Sequence, residues 1–519
     1  MDISAYLPRA ARYWADKTAI LYGDRHMTFR QLDQRSNQLA NALLGLGLRQ
    51  GDRVAIQTQN RPEVVEVESA LYKAGLVKAP VNARLSPGEV EQVLADSDAV
   101  VFIASKSHIA AMADAGTSLV QVRHRYCLDG RFEGWDDYEN LLGAASDRLR
   151  HVSKRDSDIA VLHYTSGSTG RLKAAIQTYG NRHASLRNLL IGRPGTLPGP
   201  TVRMAMLGPM THATGMLIQP YLSRGATLSI FSRFDPEQFL EAVQTQKLTH
   251  VFMVPTMVNM LLSHPKLESF DLSSLVSLSY GAAPMSAKTI AEAWERIGPV
   301  MSQGYGAAET TGGIINFSAD EHRFALQHRP ERLLTCGRAF GEAEVQIVDE
   351  DGQQVQGDQI GEIIVRGANI FGGYWKAPDL TAECLRDGWW YSGDLARVDE
   401  EGFIYIVDRK KDMIISGGFN IYTTEVEQAL SRHPEVREVC AFGIPDEKWG
   451  EAVRAAVVTT PGSTLTETAL ITFCASTLAD FKKPRSIEFL PELPKNQNGK
   501  IARKVLRDRH WSGVDRRVA

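Results

Sequence analysis

From about residue 50 to 305 the chain alternates short β-branched runs with amphipathic stretches, a pattern that restricts its fold more than any other feature. Residues 54–58 precede a helical pattern at 62–74, and another apolar run occupies 99–104. Further along, 249–254 precedes 256–264, and 275–280 precedes 287–296. Strand-forming runs that each lead into a helical period predict repeated strand–helix units, and such units build a mostly parallel, doubly wound α/β sheet. Between about 333 and 375 the pattern changes: EVQIVDEDGQQV is followed by GEIIVRG, and Asp351-Gly352 suits a hairpin turn. A small β-barrel-like subdomain is therefore expected over about 333–400. After Arg409, strands at 436–442 and 452–458 and helices at 424–432 and 466–478 predict a compact α+β domain of about 110 residues, separate in motion. The one Pro/Gly-rich loop is 194–200.

A chain of 519 residues exceeds what one core usually serves, and its 43% hydrophobic content is enough to fill several. The 58 basic and 61 acidic residues leave a formal charge of −3, scattered rather than blocked, which argues against a nucleic-acid partner. The five cysteines (Cys127, Cys336, Cys384, Cys440, Cys474) lie far apart without metal-ligand spacing and read as free thiols in a reducing compartment. The N-terminal segment lacks the apolar centre of a signal peptide, and no apolar run approaches the roughly 20 residues that span a bilayer. The last three residues form no peroxisomal address, so a cytoplasmic location is expected.

The strongest local signal is Tyr164-Thr165-Ser166-Gly167-Ser168-Thr169-Gly170, followed by Arg171-Leu172-Lys173 and preceded by the apolar run 159–162. Its glycines allow backbone geometry closed to other residues, its hydroxyls and N–H groups can ring an anion, and Lys173 adds a point charge. Such a loop can hold a phosphate chain; taken alone, it also suits a flexible Ser/Gly-rich turn.

Further strings follow in order: Gly281-Ala282-Ala283-Pro284; Gln303-Gly304-Tyr305-Gly306-Ala307-Ala308-Glu309-Thr310; Tyr391-Ser392-Gly393-Asp394; Asp408-Arg409-Lys410-Lys411-Asp412; Ser416-Gly417-Gly418-Phe419-Asn420; and PKNQNGK, ending at Lys500. On these motifs the chain, from near residue 10 to about 506, resembles the adenylate-forming superfamily of acyl-CoA synthetases, peptide-synthetase adenylation domains and insect luciferases. Leu172 stands where proline is usual in that family's loop and Ala174 where glycine is usual. Neither change removes a phosphate-binding group.

The resemblance implies an ATP-dependent ligase in which a carboxylate attacks the α-phosphorus of ATP. Both partners are anionic, so the site must supply positive charge and fix the geometry. By resemblance, Thr165, Ser166, Gly167, Ser168, Thr169, Gly170 and Lys173 hold the phosphates, while Glu309 and Thr165 hold Mg²⁺. Lys500 bridges the carboxylate and phosphate oxygens. Asp394 and Arg409 bind the ribose; Tyr305, Gly281, Ala282 and Ala283 frame the adenine, with Gly306 and Thr310 beside them. His212 matches an aromatic gate between the adenylate and the thiol channel.

Among possible acceptors coenzyme A is favoured, because ISGGFNIYTTEVE, AFGIPDEKWGE and LADFKKP most resemble bacterial aryl- and acyl-CoA ligases and only 19 residues follow Lys500. Gly417 and Gly418 then line a pantetheine channel, and Trp449, Phe481 and Lys483 meet the nucleotide end of coenzyme A. The family divides its chains at a hinge, here Lys411, giving domains 1–410 and 411–519. A carrier-dependent adenylating enzyme, or a catalytically silent acyl or nucleotide sensor, are the alternatives; intact Lys173, Glu309, Asp394, Arg409 and Lys500 argue against the sensor. The partners expected are small molecules, with a homodimer allowed.

The acyl pocket implied comprises His212, Thr214, Phe252, Met253, Tyr280, Gly281, Gly304, Ala307, Thr311 and Gly312, with Met216 and Val254 as neighbours. No arginine or lysine falls among them, so a short dicarboxylic acid would bury an unpaired charge. The set favours an apolar acid larger than acetate, either a medium-to-long aliphatic chain or a substituted aromatic acid.

Overall fold

The computed structural model describes residues 3–166, 172–192, 198–355, 357–475, 477–496 and 499–511. Two large sheets form the N-terminal part. A seven-stranded sheet orders Asp136–Asp137, His124–Cys127, Ala99–Ala104, Arg53–Gln57, Val77–Val81, Ile159–Ser166 and Leu172–Thr178, parallel except for the last pair. A nine-stranded sheet runs through Met301–Ala307, Ser277–Gly281, His250–Met253, Arg203–Met206, Thr227–Ile230 and Thr18–Tyr22, all parallel neighbours, with antiparallel strands at both edges. The alternation in the sequence therefore predicts the layout correctly.

Between the two sheets lies the helix Pro62–Ala74, buried at every position. Pro62 starts it, where the missing N–H costs nothing, and Gly75 ends it in the left-handed conformation at φ 72°. Ile56 and Val101 from one sheet and Ile20, Met204 and Leu228 from the other share the core around it. Because the helix has no solvent face, its charged residues are paired inside the protein: Glu63 with Arg61, Glu66 with Arg35, Glu68 with Lys78 and Lys73 with Asp33.

The β-rich segment forms an antiparallel sheet of Glu344–Val348, Gly361–Arg366, Leu385–Arg386, Trp389–Val398 and Ile404–Arg409. Asp351-Gly352 does make the hairpin turn, with Gly352 at φ 78°: Asp349 N donates to Gln353 O, Val355 N donates to Ile347 O, and a bridge pairs Val348 with Gln354, before Gly361–Arg366 returns to pair with Glu344–Val348. A separate C-terminal domain carries Ile414–Ser416, Phe419–Ile421, Val436–Asp446, Gly450–Thr459 and Ser486–Phe489 in one sheet, with the helix Thr423–Ser431 packed on it. The helix expected over 466–478 is shorter, Glu467–Cys474. All five cysteines are free, and four are buried. Among the described residues no helix is long and apolar enough to cross a membrane.

Candidate active site

Strands Ile159–Ser166 and Leu172–Thr178 pair antiparallel, with Thr165 opposite Lys173, and so hold the two ends of the Ser/Gly-rich loop together. Gly167, Ser168, Thr169 and Gly170 lie outside the described residues, as does the side chain of Ser166. The Thr165 hydroxyl is buried and has no hydrogen-bond partner among the described residues.

Lys173 Nζ donates to the Tyr374 hydroxyl at 2.5 Å, and that hydroxyl donates to Glu309 Oε1 at 2.5 Å. The ammonium also lies 4.0 Å from the Tyr374 ring centroid and 3.7 Å from Glu309. Burial, then the Glu309 charge, pushes the Tyr374 phenol above its ordinary range, which keeps it a neutral link between cation and carboxylate. Tyr374 escapes sequence reasoning because it is 201 residues from Lys173 and is brought there by backbone pairing of Gly372, Gly373, Tyr374 and Trp375 with Ala174, Ala175 and Ile176.

Asp394 and Arg409 stand opposite each other on antiparallel strands, with Nε 3.4 Å from Oδ1, and Tyr305 donates to the second Asp394 oxygen at 2.6 Å. Gly281 pairs with Gly304; a Cβ at Gly281 would come within 2.3 Å of the Gly304 carbonyl, so only glycine allows this approach. Ala282 follows in the left-handed region at φ 67°. Thr310 is buried, and its hydroxyl is committed to the backbone: it accepts from Ala307 N and donates to Gly312 O. Gly306 pairs with Gly313 in the same hairpin.

Lys500 comes to this site from the C-terminal domain. Its loop is closed by Asn496 N donating to Lys500 O at 2.7 Å, and Thr256 Oγ1 of the N-terminal part donates to Gly499 O at 3.4 Å. Burial first, then Arg409, pushes the Lys500 amine down to about 8, and Asp394 opposes the shift. His212 is pushed down to about 4 by burial and by Lys500, so it is a neutral ring near neutral pH. Its Nδ1 is paired with Thr211 Oγ1 at 2.9 Å, and its ring packs edge-on against His163 at 5.5 Å. Lys500, Arg409, Asp394 and His212 are thus electrostatic neighbours.

Lys411 lies two residues beyond Arg409, and desolvation, then Arg409, lowers its pKa. Beside it, Asp408 accepts from Thr423 N and Oγ1, and Asp412 pairs with Arg503 at 3.1 Å.

A second cluster forms in the C-terminal domain. Gly417 donates its N–H to Trp449 O at 2.8 Å, and a Cβ there would stand 2.7 Å from the Trp449 ring, whereas the space beside Gly418 is open. Phe481 packs on Phe419 at 4.7 Å, Trp449 is 42% exposed, and Lys483 pairs with Asp480 at 2.6 Å.

The acyl-pocket residues are divided by strand alternation. Met253 and Tyr280 are lateral partners with Leu278 and Ile290 in the same apolar core, and the Tyr280 hydroxyl pairs with His322 at 2.9 Å. Phe252 points to the opposite face and packs against the core that contains Met210 and Leu217. Thr214 is buried. Thr311 (φ 50°) and Gly312 (φ 126°) turn in the left-handed region, and a Cβ at Gly312 would stand 3.0 Å from Ser185 Oγ. Ala307 pairs with Gly312 across the hairpin. The sequence pattern pointed to no cation here, but the buried Arg182 lies one helical turn before Ser185 and contacts Met216.

The family model for AMP-binding enzymes matches residues 7–375, and the model for the AMP-binding enzyme C-terminal domain matches 425–500. The chain belongs to this family of AMP-binding enzymes. A feruloyl-CoA synthase of Amycolatopsis sp is 37% identical over 96% of this chain and 97% of its own. A medium/long-chain-fatty-acid–CoA ligase, FadD8 of Mycobacterium tuberculosis, is 33% identical over 97% of this chain and 89% of its own. Among solved structures, amide bond synthetase McbA from Marinactinospora thermotolerans superposes with a TM-score of 0.88 at 29% identity, covering 98% of this chain and 99% of its own.

Proposed function

We propose that this AMP-binding enzyme joins a carboxylic acid to coenzyme A in two steps. In the first, a carboxylate oxygen attacks the α-phosphorus of ATP, giving acyl-AMP and pyrophosphate. In the second, the thiol of coenzyme A attacks the acyl carbonyl, and AMP leaves as the thioester forms. The observation that carries the reading is the convergence of Lys500, Arg409, Asp394 and His212.

In this account Lys500 holds the attacking carboxylate against the α-phosphate, and Lys173 with the adjoining loop holds the outgoing phosphates. Asp394 and Arg409 take the ribose, while Tyr305 and the Gly281–Ala283 segment take the base. His212, neutral and half-buried, fills the entrance to the thiol channel; it moves no proton. Glu309 and the Thr165 hydroxyl, which has no partner among the described residues, offer hard oxygen donors that fit Mg²⁺, and among those residues no cluster of three or more His, Cys, Asp or Glu supplies a full protein cage. Mg²⁺ there would neutralise charge on the triphosphate.

The thioester step needs Lys500 out of the way. Residues 1–410 and 411–519 act as two bodies that pivot at Lys411, and the second placement brings the open side of Gly418 to the adenylate. Trp449, Phe481 and Lys483 receive the nucleotide end of coenzyme A. The location is cytoplasmic. The acid is a fatty or an aromatic one, a reading supported by similarity to a feruloyl-CoA synthase and a medium/long-chain-fatty-acid–CoA ligase. A panel from acetate to palmitate with benzoates and cinnamates, read as pyrophosphate release, tests this; best activity with acetate or malonate contradicts it.

A further inference from the structure

A buried cluster of charge lies behind the acyl end of the site. Arg182, on the helix Tyr179–Gly192, keeps 7% of its side chain exposed, and Glu68 keeps 2%. Lys78 Nζ sits 2.7 Å from Glu68 Oε2, whereas Arg182 Nη2 stands 3.8 Å from Glu68 Oε1, beyond hydrogen-bond reach. Two cations share one carboxylate, so the cluster holds one positive charge in excess. The other contacts are neutral: Arg182 Nε donates to Tyr72 Oη at 2.8 Å, and Gln219 Nε2 approaches Glu68 Oε1 at 3.4 Å. Burial raises the Tyr72 phenol, which stays protonated, and holds His163 neutral beside Arg182 and Lys78. Arg182 Nη1 meets Met216 Sδ at 2.6 Å, and a thioether is a weak acceptor on a flexible side chain.

Three contacts join the cluster to the pocket. Met216 lies in the turn Ala213–Leu217, which carries Thr214 and follows His212. Ser185, one turn after Arg182, approaches Gly312. His163 packs on His212, which in turn neighbours Lys500. A buried cation without a full acceptor is strongly unfavourable, and displacing Met216 exposes a planar fork suited to oxygen.

We propose that Arg182 recognises an oxygen acceptor at the far end of the acid, so that the enzyme selects acids with a distal hydroxyl or carboxylate over those with plain hydrocarbon tails. The proposal rests on the acid–CoA ligase reading above.

The test uses the full-length protein and matched acids: cinnamate with 4-hydroxycinnamate, and decanoate with 10-hydroxydecanoate and decanedioate. In the wild type, kcat/KM for pyrophosphate release favours an oxygen-bearing member of at least one set by about tenfold or more. Arg182→Met lowers that preference at least tenfold. Because removing a buried guanidinium threatens folding, Arg182→Lys is measured beside it and reduces the preference while keeping the charge. Preference for decanedioate identifies an anionic tip and preference for the hydroxy acids a neutral one; either supports the assignment. A wild type without preference, or an equal fall for both members of a set in whichever variant folds, overturns it. If no acid is activated at all, the ligase reading itself fails; activation without discrimination defeats the Arg182 assignment alone.

Discussion

Lys500 and Arg409 are neighbours of like charge, the first half-buried and the second exposed, and the amine of Lys500 is held down to about 8 by desolvation and then by Arg409. A depressed lysine loses its proton as pH rises through that value, and only the charged form can draw a carboxylate to the α-phosphate. For the free enzyme, kcat/KM for acid in pyrophosphate release is therefore expected to fall above pH about 8. Lys500→Arg stays charged and moves that limb upward. The sign for stability is opposite: the charged amine is disfavoured in the fold, so its destabilising contribution is full below about 8 and fades toward the ordinary 10.5. A limb at the same pH in Lys500→Arg assigns the titration to another group.

Removing the amine separates the half-reactions. Lys500→Ala loses one preorganised contact, a change that typically costs about 3 kcal/mol or more in the step that uses it. Acyl-AMP formation should fall by two to three orders of magnitude, as about 3 kcal/mol implies. Thioester formation from pre-made acyl-AMP should be spared; equal losses in both steps count against the role.

Tyr374 joins Lys173 to Glu309 through one hydroxyl. Tyr374→Phe keeps the ring under the Lys173 ammonium but deletes both hydrogen bonds, each to a charged group and worth about 1.5–3 kcal/mol. The expected result is a rise of roughly tenfold or more in KM for ATP and in the Mg²⁺ needed for half-maximal rate, as 1.4 kcal/mol or more implies. KM for the acid should hold steady. A variant with ordinary ATP and Mg²⁺ dependence shows that the link is only structural.

Proline fixes φ and restricts a pivot. Lys411→Pro should release pyrophosphate at close to the normal rate and form thioester slowly, read by quenched product analysis of each step. Normal turnover with coenzyme A removes Lys411 as the hinge.

Much of the architecture is written in local pattern. The strand at Ala99–Ala104 and the helices Pro62–Ala74 and Ala287–Arg296 coincide with their apolar periods because each is stabilised by the core face that the pattern describes. Thr18–Tyr22 is different: it pairs in parallel with Thr227–Ile230, some two hundred residues away, and no local signal reports such a partner. The site divides in the same way. Lys173, Asp394, Arg409 and Lys500 are visible as motif positions, whereas Tyr374 and Arg182 gain meaning only from elements remote in sequence. Phe252 and Met253 part because adjacent strand residues face opposite ways, so neighbouring positions in one motif need not line one pocket.

The most direct measurement is a single reaction followed for acid, ATP and coenzyme A together, with AMP, pyrophosphate and thioester all quantified. Without coenzyme A, acid-dependent pyrophosphate release is expected to stop near one equivalent per enzyme. Adding coenzyme A should start turnover, with AMP and acyl-CoA formed in equal amounts. Release of ADP, ATP cleavage independent of acid, or acyl-AMP that coenzyme A does not discharge would contradict the ligase reading.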